Sequence, residues 1–481
     1  MRVLEHLKPK SVFSYFEDLC GIPHGSRNVK AVSDYCVSFA KEHGLEWMQD
    51  DAYNVIIIKP ATAGYEKAPA VMLQGHLDMV CEKDMALTDL DMAKTPLDIA
   101  IDGDYIYAKG TTLGGDDGIA VACMLAVLAS NDLSHPRIEA VFTTDEEIGM
   151  LGAAAIDLSP LQAKLLINMD SEEEGIFLTS CAGGVTASIN LPVAYEETGK
   201  TPVEITIDGL QGGHSGIEID KGRGNANMLM GRLLNHMKQV DFRLAELKGG
   251  LKDNAIPLSC RAVIMTDDVG AVQQAVQEYE QVLRHEYRTS DPNVSVHAAV
   301  LETGSCALDA DSTKRAVSLL TNVPNGVQAM SMDLVGLVET SLNLGILELT
   351  QQGLFLSFAV RSSVSSAKQA VLERLESIAE LLGGTVELFG DYPAWEFKKD
   401  SRLREIMMQT YRDLYGKEPE IQAIHAGLEC GIFSGKVEGL DCISLGPDMM
   451  NVHTSKERLS ISSTARTWDL VVETLKRLKD F

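Results

Sequence analysis

The chain of 481 residues is 45% hydrophobic and 23% charged, which leaves room for more than one buried core and excludes a disordered or collagenous polymer. Its 42 Lys and Arg against 69 Asp and Glu give a net charge of −27. Nucleic acid and anionic membranes need a basic surface, so neither is expected as a partner. Nine cysteines fall in no CxxC pair, and the charged start MRVLEHLKPK lacks the apolar core of a secretory leader; the expected setting is the reducing cytoplasm.

In chain order, residues 11–19 and 29–42 have helical spacing, and 54–59 (NVIIIK) is a short β-branched run. Residues 68–74, 137–144 and 163–169 are continuous apolar runs of strand length, the pattern of strands buried on both faces of a largely parallel sheet. Between them, 116–129 is apolar nearly all round and predicts a buried helix. The style changes near 184. Strands at 203–207, 261–265 and 354–360 alternate, with amphipathic helices at 225–239, 271–285 and 366–382. A similar element order at 203–267 and 311–388 points to an internally doubled unit. The last stretch returns to the first style, with helices at 403–415, 427–433 and 463–476 and a strand at 441–445. The expected fold class is α/β. Residues 1–185 and 396–481 form one discontinuous domain around a central, mostly parallel sheet, and 186–395 form an inserted α+β domain.

Four segments then share one geometric property. Strand 68–74 runs into Gly75-His76-Leu77-Asp78, strand 137–144 into Asp145-Glu146-Glu147, and strand 163–169 into Asp170, while Gly114-Gly115-Asp116-Asp117-Gly118 enters the buried helix. Ligands of parallel α/β sheets bind beyond the carboxyl ends of the strands, so these groups converge. Each alone also reads as a strand-end turn, a solvated acidic loop or, for Asp116 and Asp117, a helix cap. Together, four or five neighbouring carboxylates raise one another's pKa, and divalent metal is the simplest compensation. Imidazole plus carboxylate suits zinc or a similar ion, and two ions sharing a carboxylate absorb the charge better than one.

Read in order, GHLDMV (75–80), GTTLGGDDGIA (110–120), TTDEEIGM (143–150), INMDSEE (167–173), GLQGGHSG (209–216) and NVHTSKE (451–457) resemble the co-catalytic zinc exopeptidases. Among these, the likeness is to the bacterial aminoacyl-histidine (Xaa-His) dipeptidases, and it runs over essentially the whole chain. The resemblance implies a zinc-exopeptidase catalytic domain with an inserted lid, and two divalent ions: zinc, with manganese or cobalt as alternatives. It makes His76 and Asp170 ligands of one ion, Glu147 and His453 ligands of the other, and Asp116 the bridge. Asp78 would hold the His76 ring, Glu146 would be the general base, and the Asp116–Asp117 peptide would be cis. His214 would serve the oxyanion from the lid. Arg361, Asn254, His425 and Glu429 would bind substrate, Arg361 through its terminal carboxylate.

The activity so implied is hydrolysis of unblocked dipeptides, Xaa-His and broader, by a water activated between the metals. The nearest alternative is an N-acyl amino-acid amidohydrolase with the same centre. A non-catalytic peptide- or metal-binding relative would lack a ligand or the base, and here all are present. A homodimer fits the resemblance, although a doubled lid unit would let one chain supply its own histidine. His43, His135, His236, His285 and His297 read as surface residues, and His24 as structural.

Overall fold

The computed structural model describes residues 2–302 and 304–481. It divides into two compact units: Met1–Ser180 with Phe397–Ala423 and Leu428–Phe481, and Cys181–Glu396 with Ile424–Gly427.

The first unit is built on an eight-stranded sheet with a parallel centre. Strands Ile138–Thr143, Val71–His76, Leu165–Asn168 and Asp441–Ser444 lie side by side and run the same way. Every residue of Val71–His76 and Ile138–Thr143 is buried, as continuous apolar runs require when both faces are covered. Antiparallel pairing is confined to the edges, where Val55–Lys59 joins Ile138–Thr143 and Glu46–Gln49 joins Val55–Lys59. Helices Lys10–Cys20, Gly115–Ala129, Arg402–Tyr415 and Ile461–Arg477 bring Phe16, Leu125, Met407 and Val471 into one core with Leu73, Ile167 and Ile443. His135, expected on the surface, is instead fully buried. Thr62 bonds both its backbone amide and its carbonyl, and these bonds draw the turn inward.

The second unit holds a nine-stranded antiparallel sheet. Helices Ala226–His236, Val269–Glu286, Ala310–Asn322 and Ser365–Leu381 pack on it around a separate core of Leu229, Val276, Leu320, Leu375 and Phe358. One order of elements occurs twice: helix, three strands, helix, strand. It runs from Ala226–His236 to Ser295–Val300 and again from Ala310–Asn322 to Thr385–Tyr392. The first copy extends past 267, where the sequence pattern ended it, because Val269–Glu286 and Ser295–Val300 belong to it. Among the described residues no helix is long and apolar enough to cross a membrane.

Candidate metal centre and active site

The four parallel strands deliver their carboxyl ends to one edge of the first sheet. His76 ends its own strand, Glu146 and Glu147 stand just beyond Ile138–Thr143, and Asp170 stands just beyond Leu165–Asn168. Three donor groups result, with ligand atoms within 4.8 Å of one another: His76, Asp116 and Asp170; His76, Glu146 and Glu147; Asp116, Glu147 and His453. The two oxygens of Asp116 face different imidazoles. Oδ1 is 3.1 Å from Nε2 of His76, and Oδ2 is 3.1 Å from Nε2 of His453. Glu147 Oε1 lies 3.0 Å from that His453 nitrogen, and Asp170 Oδ1 lies 3.6 Å from Nε2 of His76.

The peptide Asp116–Asp117 is cis, as the resemblance implied. Neither carboxylate accepts an amide of the helix that follows: the Asp116 oxygens face imidazoles and Asp117 Oδ2 takes the His76 amide, so the helix-cap reading of this pair does not hold. The orphan amides are taken by Glu457 instead. Its carboxylate accepts the N–H groups of Leu113 (2.6 Å), Gly114 (3.1 Å), Gly115 (2.7 Å) and Asp116 (3.4 Å), the favourable placement for an anion at a helix N-terminus. Glu457 is buried and stands in the same short segment as His453. One segment thus supplies a donor imidazole and fixes the loop carrying the shared carboxylate. Sequence reasoning missed it, because a glutamate in NVHTSKE carries no local sign of partners more than 300 residues away.

The His76 ring is held from the main chain. Its Nδ1 is 2.9 Å from the backbone carbonyl of Asp78 and 3.6 Å from that residue's carboxylate. With Nδ1–H donated there, Nε2 is left to face the carboxylates. The Asp78 carboxylate accepts instead the amides of Glu146 (3.0 Å) and Glu147 (3.4 Å) and the Ser26 hydroxyl (2.8 Å). Asp78 therefore orients both the imidazole and the acidic turn. The amide of His76 donates to Asp117 Oδ2 at 3.1 Å, an approach open only because residue 75 is glycine: a Cβ there would lie 2.6 Å from that oxygen. Asp145 and His453 both sit in the left-handed backbone region, at φ 53° and 61°. Non-glycine residues held there concentrate at functional sites.

The electrostatics show a site short of positive charge. Burial, then the charges of Asp170, Glu429 and Glu147, pushes Glu146 up to about 9. Burial likewise raises Asp170 to about 6, against the opposing pull of His76, and Glu172 to about 7, and the Asp116 charge adds to both rises. Bonds to Asp116 and Glu147 push His453 up to about 11. Protons are thus retained where cations would otherwise neutralise the carboxylates. The nitrogen and oxygen donors, the shared Asp116 and this charge deficit fit a pair of divalent ions. Glu429, expected on the substrate side, belongs to this unit and has no exposed surface. It accepts from Gln74 and from Thr143 Oγ1 (2.8 Å), and Asn168 in turn donates to Gln74 at 2.6 Å. It is part of the floor beneath the strand ends, and its Oε1 is buried without a hydrogen-bond partner among the described residues.

His214, Asn254, Arg361 and His425 all lie in the second unit. Strand Gly213–His214 pairs with Ala255–Ile256, and the Ser215 amide donates to the carbonyl of Asn254 at 2.9 Å. Nδ1 of His214 accepts the amides of Gly216 (3.1 Å) and Ile217 (3.3 Å), so the proton of the neutral ring sits on Nε2. Burial and the Arg361 charge both lower the His214 pKa, which keeps the ring neutral. Arg361 donates to the Tyr392 hydroxyl at 2.9 Å, and its Nε is buried without a hydrogen-bond partner among the described residues. His425 lies 2.7 Å from the Ser341 hydroxyl, and Ser341 is the cross-strand partner of Arg361.

Comparison with known proteins gives a consistent set. The sequence pattern described as peptidase family M20/M25/M40 matches residues 72–477. The cytosol non-specific dipeptidase of Escherichia coli (strain K12) is 39% identical over 483 residues, covering 99% of this chain and 99% of its own. The crystal structure of the aminoacylhistidine dipeptidase of Vibrio alginolyticus superposes with a TM-score of 0.94 at 36% identity, over 98% of each chain. A tripeptidase from Staphylococcus aureus shares the fold, with a TM-score of 0.57 at 16% identity over 99% of this chain and 100% of that one.

Proposed function

The chain belongs to the peptidase family M20/M25/M40, and from that premise we propose that it is a cytoplasmic di-metal dipeptidase cleaving dipeptides with an unblocked amino terminus, Xaa-His among them. The observation that carries the reading is Asp116, whose two oxygens face two different imidazoles, each with a further carboxylate beside it. The names of the Escherichia coli and Vibrio alginolyticus relatives, dipeptidases alike over nearly the whole chain, support it.

His76 and Asp170 would hold one ion, Glu147 and His453 the other, and Asp116 both; zinc is the assignment for this donor set, with manganese and cobalt as alternatives. Such ions, when bound, polarise the scissile carbonyl and lower the pKa of water to about 7. Glu146 takes the proton of the attacking water and passes it to the leaving amine. Asp78 fixes Glu146 by accepting its amide, so the base starts from a defined position. His214 donates its Nε2 proton to the developing oxyanion. Arg361, with Asn254 and His425, receives the substrate's terminal carboxylate, a task suited to a guanidinium with an unsatisfied buried N–H.

The test is a substrate panel run on protein whose metal content is measured by elemental analysis. Two equivalents of divalent metal and cleavage of free dipeptides, with N-acylated amino acids untouched, are expected. Cleavage of N-acyl amino acids alone, or activity without stoichiometric metal, would sink the reading.

A further inference from the structure

Against Glu147, within the first unit, lies a cavity of about 330 Å³. Its walls are mostly apolar: Met79, Val80, Cys81 and Ile148, with Ser26 at one side. The walls are tied to the metal cluster. Gly25 bridges to Met79, the Ser26 amide donates to the Met79 carbonyl at 3.3 Å, and the Ser26 hydroxyl donates to Asp78 at 2.8 Å. Gly25 also keeps the wall thin, since a Cβ there would lie 2.4 Å from the Cys81 sulfur. Apart from Glu147 and the Ser26–Asp78 bond, none of these features enters the chemistry above.

We propose that this cavity receives the side chain of the substrate's N-terminal residue and selects apolar side chains of Leu, Met or Phe size. The inference rests on the dipeptidase reading. In a dipeptide with a free amino terminus, the α-ammonium is drawn to the carboxylates of the cluster, Glu147 among them. The side chain branches from the same carbon as that ammonium, so it must find room close by. The apolar space bordering Glu147 supplies it. Glycine leaves the cavity unfilled, and an acidic side chain meets the Glu147 carboxylate and is repelled. The C-terminal residue plays no part in this selection.

The experiment compares kcat/KM for Leu-His and Gly-His, which differ only at the N-terminal side chain, in the metal-loaded wild-type enzyme and in Cys81→Trp. Filling or emptying a side-chain pocket changes discrimination by about 10–200-fold. Wild type is expected to favour Leu-His by about tenfold or more, and C81W to lose most of that preference while cleaving Gly-His within about twofold of wild type. Ile148→Ala, which widens the cavity, is expected to raise activity on Trp-His relative to Leu-His. Metal content and thermal midpoint are recorded for each variant, so that loss of fold is separated from loss of selection. An active wild type whose Leu-His to Gly-His ratio survives in folded, metal-loaded C81W, together with an unmoved Trp-His to Leu-His ratio in I148A, overturns the pocket assignment alone. A wild type that cleaves no dipeptide overturns the underlying reading instead.

Discussion

Single side chains in this site differ in what they can be asked to do. Glu146 is the proposed base and belongs to neither of the two outer donor groups, so Glu146→Gln is expected to keep both ions and lose turnover by about 10²–10⁴. Elemental analysis beside single-turnover kinetics reads both quantities, and wild-type turnover in E146Q would remove it as base. His214→Ala should also keep the metals while losing about 10²–10³ in kcat, the usual loss for one oxyanion donor. Glu457 behaves differently. It touches no donor atom but binds four amides in the loop that carries Asp116. A glutamine at this position would turn an NH₂ group toward N–H donors. Glu457→Gln is therefore expected to weaken metal affinity by about 10–100-fold, the range typical of groups that support ligands, with titration calorimetry on the folded apo-protein as the measurement. Unchanged affinity for both ions would show that the loop holds itself.

At the scale of elements, the site depends on parallel strands ending together, and in the second unit the Arg361 charge acts on both His214 and His425. Burial first and then the Arg361 charge push His425 down to about 4. An unfolded histidine titrates near 6.5, so between these values the unfolded chain holds a proton that the folded unit refuses. Stability from this residue is complete above about pH 6.5 and is lost as pH falls toward 4, by on the order of 2 kcal/mol at pH 5. His425→Asn should flatten that slope, as followed by denaturant midpoints of the second unit between pH 7 and 5; an equally steep slope in H425N would assign it to other groups. Element limits also show where local propensity yields. Residues 242–249, FRLAELKG, are rich in helix formers, yet Phe242–Gly249 is a strand paired along its length with Cys260–Thr266. Cross-strand pairing and burial of Phe242, Leu244 and Leu247 outweigh a preference of tenths of a kcal/mol per residue. The helix expected over 225–239 stops at His236 for a related reason: its last residues are needed for the turn into that strand.

For the whole molecule, all five proposed ligands and Glu146 lie in the first compact unit. Metal removal by a chelator is expected to lower the unfolding temperature of that unit and leave the second unit's transition in place, since a ligand stabilises only what it binds. Differential scanning calorimetry resolves the two, and an equal shift of both would mean that they unfold together. The charge of −27 is not a signature of the site. Asp78, Asp116, Glu146, Glu147 and Asp170 contribute five acids, two divalent ions would offset four charges, and most of the net charge lies elsewhere in the chain. What the sequence determined by itself was the set of buried parallel strands and the acidic and imidazole groups at their ends. Continuous apolar runs of strand length leave few alternatives, and residues at a strand's carboxyl end are placed by the sheet itself. The position of the Asp116–Asp117 cis peptide was legible through the resemblance. The tertiary structure decided which oxygen faces which imidazole, the trans cap from Glu457, the use of Asp78's carboxylate on the acidic turn, the proton position on His214 and the burial of Glu429. Each of these depends on an angle or a partner distant in the chain, and side-chain periodicity reports only which face of an element is covered.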